Sequence, residues 1–183
     1  METVDIKLQR LSEMTQEEFE PFGWIIGRQD LSLPNVEVGD ELTCYPDFLP
    51  HLKYDTGRLS MGMLVCSPKP TGALVDWMEY HETAYEFFFP LGGGEVIFVI
   101  APAGEKPDPA KTKAIILGPN EGMLLKKCTW HHPPYGVSGV VSCLMPRYGD
   151  FVETPEGGLK DKNTVYYGAL AEDGTEFKVR IVL

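Results

Sequence analysis

Residues 79 to 101 read EYHETAYEFFFPLGGGEVIFVIA, two apolar runs joined by a glycine-rich turn. Glu86 to Phe89 and Glu95 to Ala101 are short enough for strands, and LGGG lacks the strand-to-helix context of a phosphate loop, so it reads as a hairpin turn. Glu79 and His81 stand two apart, which on a strand sends both side chains to one face. A turn at Glu82 to Ala84 then lets Glu86 return beside them. Glu86 sits between Tyr85 and Phe87-Phe88-Phe89, where an unpaired acid is costly. A strand apolar on both faces must be covered twice, so the phenylalanine run implies a second layer and a homodimer contact.

Working outward, further strand-like runs separated by Gly and Pro cover Val4 to Leu8, Trp24 to Ile26, Leu59 to Cys66 and Leu74 to His81. They continue over Ala114 to Leu117, Gly122 to Cys128, Gly139 to Leu144, Thr164 to Leu170 and Phe177 to Leu183. Asp173-Gly174 is a hairpin signal before the last run, making about 159–183 a candidate extension of the domain. Helical signals are few. Thr15-Gln-Glu-Glu18 is a capping box ahead of Phe19, and Asp108-Pro109-Ala110 resembles a cap with proline in the first turn. The pattern is mainly β, an antiparallel sandwich or barrel with one or two short helices. No repeat or linker divides it, so residues 1–183 are expected to form a single domain, with 28–57 as a long loop or lid.

Net charge is −11. That field repels nucleic acid, and no basic patch beyond Lys126-Lys127 opposes it. No stretch is long and apolar enough for a signal peptide or a membrane span, which gives a cytoplasmic expectation with no membrane partner. Cys44, Cys66, Cys128 and Cys143 form no Cys-x-x-Cys pair and read as reduced, mostly buried thiols.

Only four histidines occur, and two stand together in WHHPPYG, residues 130–136. Neighbours on a strand face opposite ways, so at most one of His131 and His132 joins the upstream cluster; the plain alternative packs one of them against Trp130 and leaves the other in solvent. Glu79, His81, Glu86 and His131 together make two carboxylates and two imidazoles, a donor set suited to Mn, Fe, Ni or Zn.

From His81 the spacing His-x4-Glu-x6-Gly, ending at Gly93, followed later by His131, resembles the two motifs of the cupin superfamily, with Glu79 in place of the first histidine. EEFEPFGWII, EYH before FFFPLGGGEVIFVIA, KPDPAKTKAIIL and TWHHPPYG together resemble the ureidoglycolate lyase family, over about Ile6 to Pro155. The resemblance implies a cupin-type β-barrel or jelly roll and a divalent metal held by Glu79, His81, Glu86 and His131. The reaction it implies is cleavage of ureidoglycolate to glyoxylate and urea, a step of allantoin degradation in purine catabolism. Its substrate is a small carboxylate. His132, Lys126 and Glu82 are the candidates for proton transfer. The family's Asn-Arg pair has no counterpart at Val65-Cys66, so Arg58 or Arg147 is expected to receive the carboxylate, with Trp130 as a substrate contact. Glutamic acid at 86 and Lys126 also depart from the family's glutamine and histidine. Two other readings stand beside this one: a metal-dependent cupin isomerase or dioxygenase acting on a sugar or carboxylate, and a metabolite-binding cupin without catalysis.

Overall fold

The computed structural model describes residues 3–26, 36–38, 42–44, 58–69, 72–155 and 159–182. In chain order the elements are β1 (Val4–Arg10), α1 (Gln16–Phe19), β2 (Gly23–Ile26), β3 (Val36–Val38), β4 (Leu42–Cys44), β5 (Arg58–Cys66) and β6 (Leu74–Val75). There follow β7 (Trp77–His81), β8 (Tyr85–Pro90), β9 (Val96–Ala101), β10 (Lys113–Leu117), β11 (Gly122–Leu125) and β12 (Trp130–Gly136). The last are β13 (Val141–Gly149), β14 (Phe151–Glu153), β15 (Leu159–Asp161), β16 (Thr164–Gly168) and β17 (Val179–Val182).

The fold is mainly β, as the pattern of short strands predicts. One eight-stranded sheet runs β16-β7-β12-β9-β10-β1-β17-β6, and a five-stranded sheet runs β2-β11-β8-β13-β5. Between them lies an apolar core to which the larger sheet gives Phe98, Ile100, Ile115 and Leu117 and the smaller gives Phe88, Met123, Leu125 and Cys143. Phe88 and Phe98 meet edge to face with ring centroids 4.7 Å apart. Each such side chain removed from water contributes roughly 1.5–3 kcal/mol. A second cluster, including Ile97, Val99, Ala114, Ile116, Trp130 and Phe177, occupies the opposite face of the larger sheet. β9 supplies both clusters and is buried at every position, which is why VIFVIA is apolar without alternation.

The short helices form where their caps predict. Thr15 accepts from the Glu18 amide at 3.1 Å while the Glu18 carboxylate takes the Thr15 amide at 2.7 Å. Asp108 accepts from the Ala110 amide at the start of a 3-10 turn over Pro109–Lys111. Two expectations need correcting. The sheets are not wholly antiparallel, because β1 pairs parallel with both β10 and β17. The chain reaches β10 only after passing through the smaller sheet, and that long route supplies the crossover a parallel pair needs. Nor does Asp173-Gly174 close a hairpin. Gly174 takes a left-handed φ of +73°, yet β16 leaves to pair with β7 while β17 pairs with β1 and β6. Phe177, buried in the second cluster, leads the outgoing chain to the open edge of β1.

Residues 130–136 also form a strand that a Pro-Pro pair argues against. β12 pairs with β9, and its register shifts between His132 and Tyr135, around the two residues that have no N–H to donate. Of the stretch 28–57, only the antiparallel pair β3 and β4 is described; the rest of the expected loop or lid lies outside the described residues.

Candidate metal centre

Alternation along β7 sends Met78 and Tyr80 to the second apolar cluster and Glu79 and His81 to the space between the sheets. β12 lies antiparallel to β7 with His131 directly opposite Glu79. From the facing sheet, β8 alternates outward Tyr85, Phe87 and Phe89 with inward Glu86, Phe88 and Pro90. The four expected ligands therefore converge from three strands. Glu86 bridges the imidazoles, with Oε1 3.3 Å from His81 Nε2 and Oε2 3.1 Å from His131 Nε2. Glu79 Oε1 stands 3.9 Å from His131 Nε2. One donor atom from each of Glu79, His81 and His131 falls within 4.8 Å of the others.

The outer nitrogens are also held. His131 Nδ1 donates to the Thr129 carbonyl at 2.9 Å, which leaves Nε2 as the atom aimed at Glu86. A lone pair facing a carboxylate is repulsive unless a cation lies between them. In the metal-free protein that cation is a proton. Burial opposes the imidazolium, but the hydrogen bond and charge of Glu86, with Glu79 behind it, raise His131 to about 9. Burial likewise opposes charge on Glu86, and the bonds from His131 and His81 outweigh it, holding the carboxyl well below the usual carboxylate range. A divalent ion serves the same electrostatic need, and two imidazoles with two carboxylates are donors that fit one.

The cluster opens into a cavity of about 240 Å³. Leu64, Phe88, Met145, Pro133 and Pro134 give it apolar walls, and Arg147, Asp161, Thr164 and Tyr166 add polar groups. Of the expected carboxylate-binding residues, Arg147 lines this cavity, directly across from Glu86 on β13, with its guanidinium 4.9 Å from the Phe151 ring centroid. Arg58 is exposed at the first position of β5, opposite Gly149, and is not in the cavity lining.

Four other expected site residues lie away from the cluster. Trp130 is buried in the second apolar cluster, its indole N–H bonded to the Gly104 carbonyl at 3.0 Å. Lys126 follows the end of β11, and its ammonium binds the Glu20 carbonyl at 2.6 Å, pairs with the Glu20 carboxylate and covers the Trp24 ring. Glu82 is exposed in the turn after β7. His132 does not line the cavity; its ring packs 4.8 Å from that of Trp77, and burial, then the charge of Lys69, lowers it to about 4.

Three cavity residues escaped the sequence reading: Asp161, Thr164 and Tyr166. Buried Asp161 accepts from the Thr83 hydroxyl at 3.1 Å and the Asn163 amide at 2.8 Å. Thr164 and Tyr166 stand two apart on β16, a same-face spacing that was visible. What was not visible is that β16 lies beside β7.

The sequence profile of the ureidoglycolate lyase family matches residues 6–156. Among curated proteins, a ureidoglycolate lyase of Burkholderia mallei is 25% identical over 153 residues, covering 84% of this chain and 85% of the relative. One from Pseudomonas savastanoi is 26% identical over 132 residues, covering 67% and 72%. RmlC from Streptococcus suis, solved in complex with dTDP-D-xylose, aligns at 12% identity with a TM-score of 0.39, over 54% of this chain and 47% of that one.

Proposed function

The chain belongs to the ureidoglycolate lyase family, and from that premise we propose that it cleaves ureidoglycolate to glyoxylate and urea with a divalent metal held between its sheets. It is an enzyme of the carbon–nitrogen lyase type. The convergence of His81, His131 and Glu86 at one point, with Glu79 at its edge, is the observation that carries the metal-assisted part of this reading. Of the four expected donors, His81, His131 and Glu86 would hold Mn, Fe, Ni or Zn, leaving Glu79, the more exposed of the two carboxylates, for proton transfer; when bound, the ion would supply Lewis-acid polarisation of a substrate oxygen.

The protein's own groups account for the remaining steps. Arg147 receives the substrate carboxylate, for which its planar fork is suited. Glu79 retains some exposure at the cavity edge, and it takes the proton of the carbinol hydroxyl. As that oxygen forms the new C=O bond, the C–N bond breaks and its electron pair leaves on nitrogen. Glu79 returns the proton to that nitrogen, so urea departs neutral and the enzyme is regenerated. The apolar walls of Phe88, Leu64 and Met145 exclude bulk water, which would otherwise screen the charges in play.

Two companions of this reading are a reducing, cytoplasmic setting and a homodimer. The described cysteines Cys66, Cys128 and Cys143 are all free. Among the described residues, no helix is long and apolar enough to cross a membrane. The exposed apolar row Leu59, Met61, Met63 and Val65 on β5 supports association of two copies.

Urea release from ureidoglycolate, followed with elemental analysis of chelator-free protein, tests the assignment. His81→Ala is expected to lose both metal and turnover while keeping a cooperative thermal transition. Full turnover by protein stripped of metal would reject the metal's part in it.

A further inference from the structure

β16 joins the larger sheet as an edge strand against β7, and its register sets two hydroxyls on two site residues. Thr164 pairs with His81, and its Oγ1 lies 3.0 Å from His81 Nδ1. Tyr166 pairs with Glu79, and both side chains line the cavity. Two successive inward positions of one strand thus face the two successive inward positions of its neighbour. β16 begins at Thr164, beyond residue 156 where the family match ends.

We propose that β16 is the positioning strand of this site: Thr164 fixes the imidazole of His81 for the metal, and Tyr166 fixes the carboxylate of Glu79 for proton transfer. The inference rests on the metal-assisted reading above and assigns this chain's C-terminal segment a part in it.

The physical grounds differ for the two residues. An imidazole ligand rotates about two side-chain bonds unless its outer nitrogen is held. His131 obtains its restraint from the Thr129 carbonyl of its own strand. For His81 the partner is the Thr164 hydroxyl of the adjacent strand. When Nδ1–H donates to that hydroxyl, Nε2 is the atom left to face the cation. Glu79 has a different need, since a carboxylate at a cavity edge has free rotamers and only some face the substrate. The Tyr166 hydroxyl restrains it, and the Tyr166 ring is itself steadied by Trp77, with centroids 6.3 Å apart.

Loss of an outer partner of a metal-binding histidine typically weakens the metal about 10- to 100-fold. Calorimetric titration of the full-length protein with Zn2+ and with Mn2+ should therefore show Thr164→Val weakened by that factor and Thr164→Ser close to wild type. Rescue by the hydroxyl alone separates positioning from packing, since valine fills the space as well as threonine does. Tyr166→Phe should bind metal like wild type but lose roughly tenfold in kcat with KM little changed, the size expected for one hydrogen bond to a charged group. Thr164→Val binding as tightly as wild type, or Tyr166→Phe with wild-type kcat, would overturn the assignment for that residue while leaving the family reaction in place. A wild-type protein that takes up neither ion would overturn the metal reading and this inference together.

Discussion

A buried carboxylate held between two imidazoles titrates unlike either group in water, and His131 and Glu86 give the metal-free protein a defined pH window. His131 sits at about 9 against an ordinary value of 6.5. Its contribution to stability is therefore complete below about pH 6.5 and is lost as pH rises through about 9. Glu86 is shifted the other way, so its contribution is present above its ordinary 4.5 and is lost as pH falls below that value. Melting temperatures of chelated protein are expected to peak between these limits and to decline on the alkaline side. In His131→Gln the decline between pH 6.5 and 9 should vanish; a chelated wild type whose melting temperature stays level across that interval would contradict the pairing. The same residues show what the sequence could reveal. Glu79, His81 and Glu86 were legible because strand alternation and one turn fix their faces. His131 followed as their counterpart on a second hairpin. His132, Lys126 and Glu82, the residues expected to transfer protons, are not in the cavity lining, because each lies where alternation stops: a proline bulge, the residue after β11, and a turn. Nearness in sequence to the cluster then says nothing about access to the cavity.

Element by element, the strand pattern was readable wherever apolar runs are bounded by Gly or Pro, and the failures share a cause in pairing. β12 was legible at His131-His132 but not beyond Pro133-Pro134, which the sheet accommodates by a shifted register against β9 and a single directly opposed pair, His131 with Glu79, against β7. β16 was recognised as a strand but not as the neighbour of β7, since no local signal states which edge a strand will join. Gly168, at its end, shows how closely that edge is specified. Its φ is +88°, and a Cβ added there would lie 2.2 Å from the Asp76 carbonyl oxygen and 2.9 Å from Trp77 Cα, backbone atoms that cannot move aside without breaking the β7 pairing. Gly168→Ala thus combines a left-handed strain with a steric collision, and should destabilise by about 2 kcal/mol or more. For a chain of this length that lowers the melting temperature by roughly 5 °C. Because the displaced strand carries Thr164 and Tyr166, metal affinity should fall with it. A Gly168→Ala protein melting and binding like wild type would show that β16 is not seated as described.

At the scale of the whole molecule, the phenylalanine run that anchored the sequence reading turns out to serve one sheet's two faces unequally. Phe88 is buried in the inter-sheet core, whereas Phe87 and Phe89 are only half covered on the outer face. That outer face continues across β13 to the edge strand β5, where Leu59, Met61, Met63 and Val65 alternate outward and are 63%, 64%, 58% and 69% exposed. A row of four exposed apolar side chains on an edge strand is a surface that folded proteins ordinarily charge or cover. This one carries no charge along the row between Arg58 and Cys66, in a chain whose net charge is −11. A neutral apolar row on a chain of net charge −11 favours a second copy as its cover over a polar partner. Sedimentation velocity is expected to give a dimer for the wild type and a monomer for Leu59→Glu/Met63→Glu, whose substituted side chains point away from the cavity and should leave metal binding intact. A wild type that sediments as a monomer at tens of micromolar would remove the homodimer from this account, while the site, built entirely from one chain, would stand unchanged.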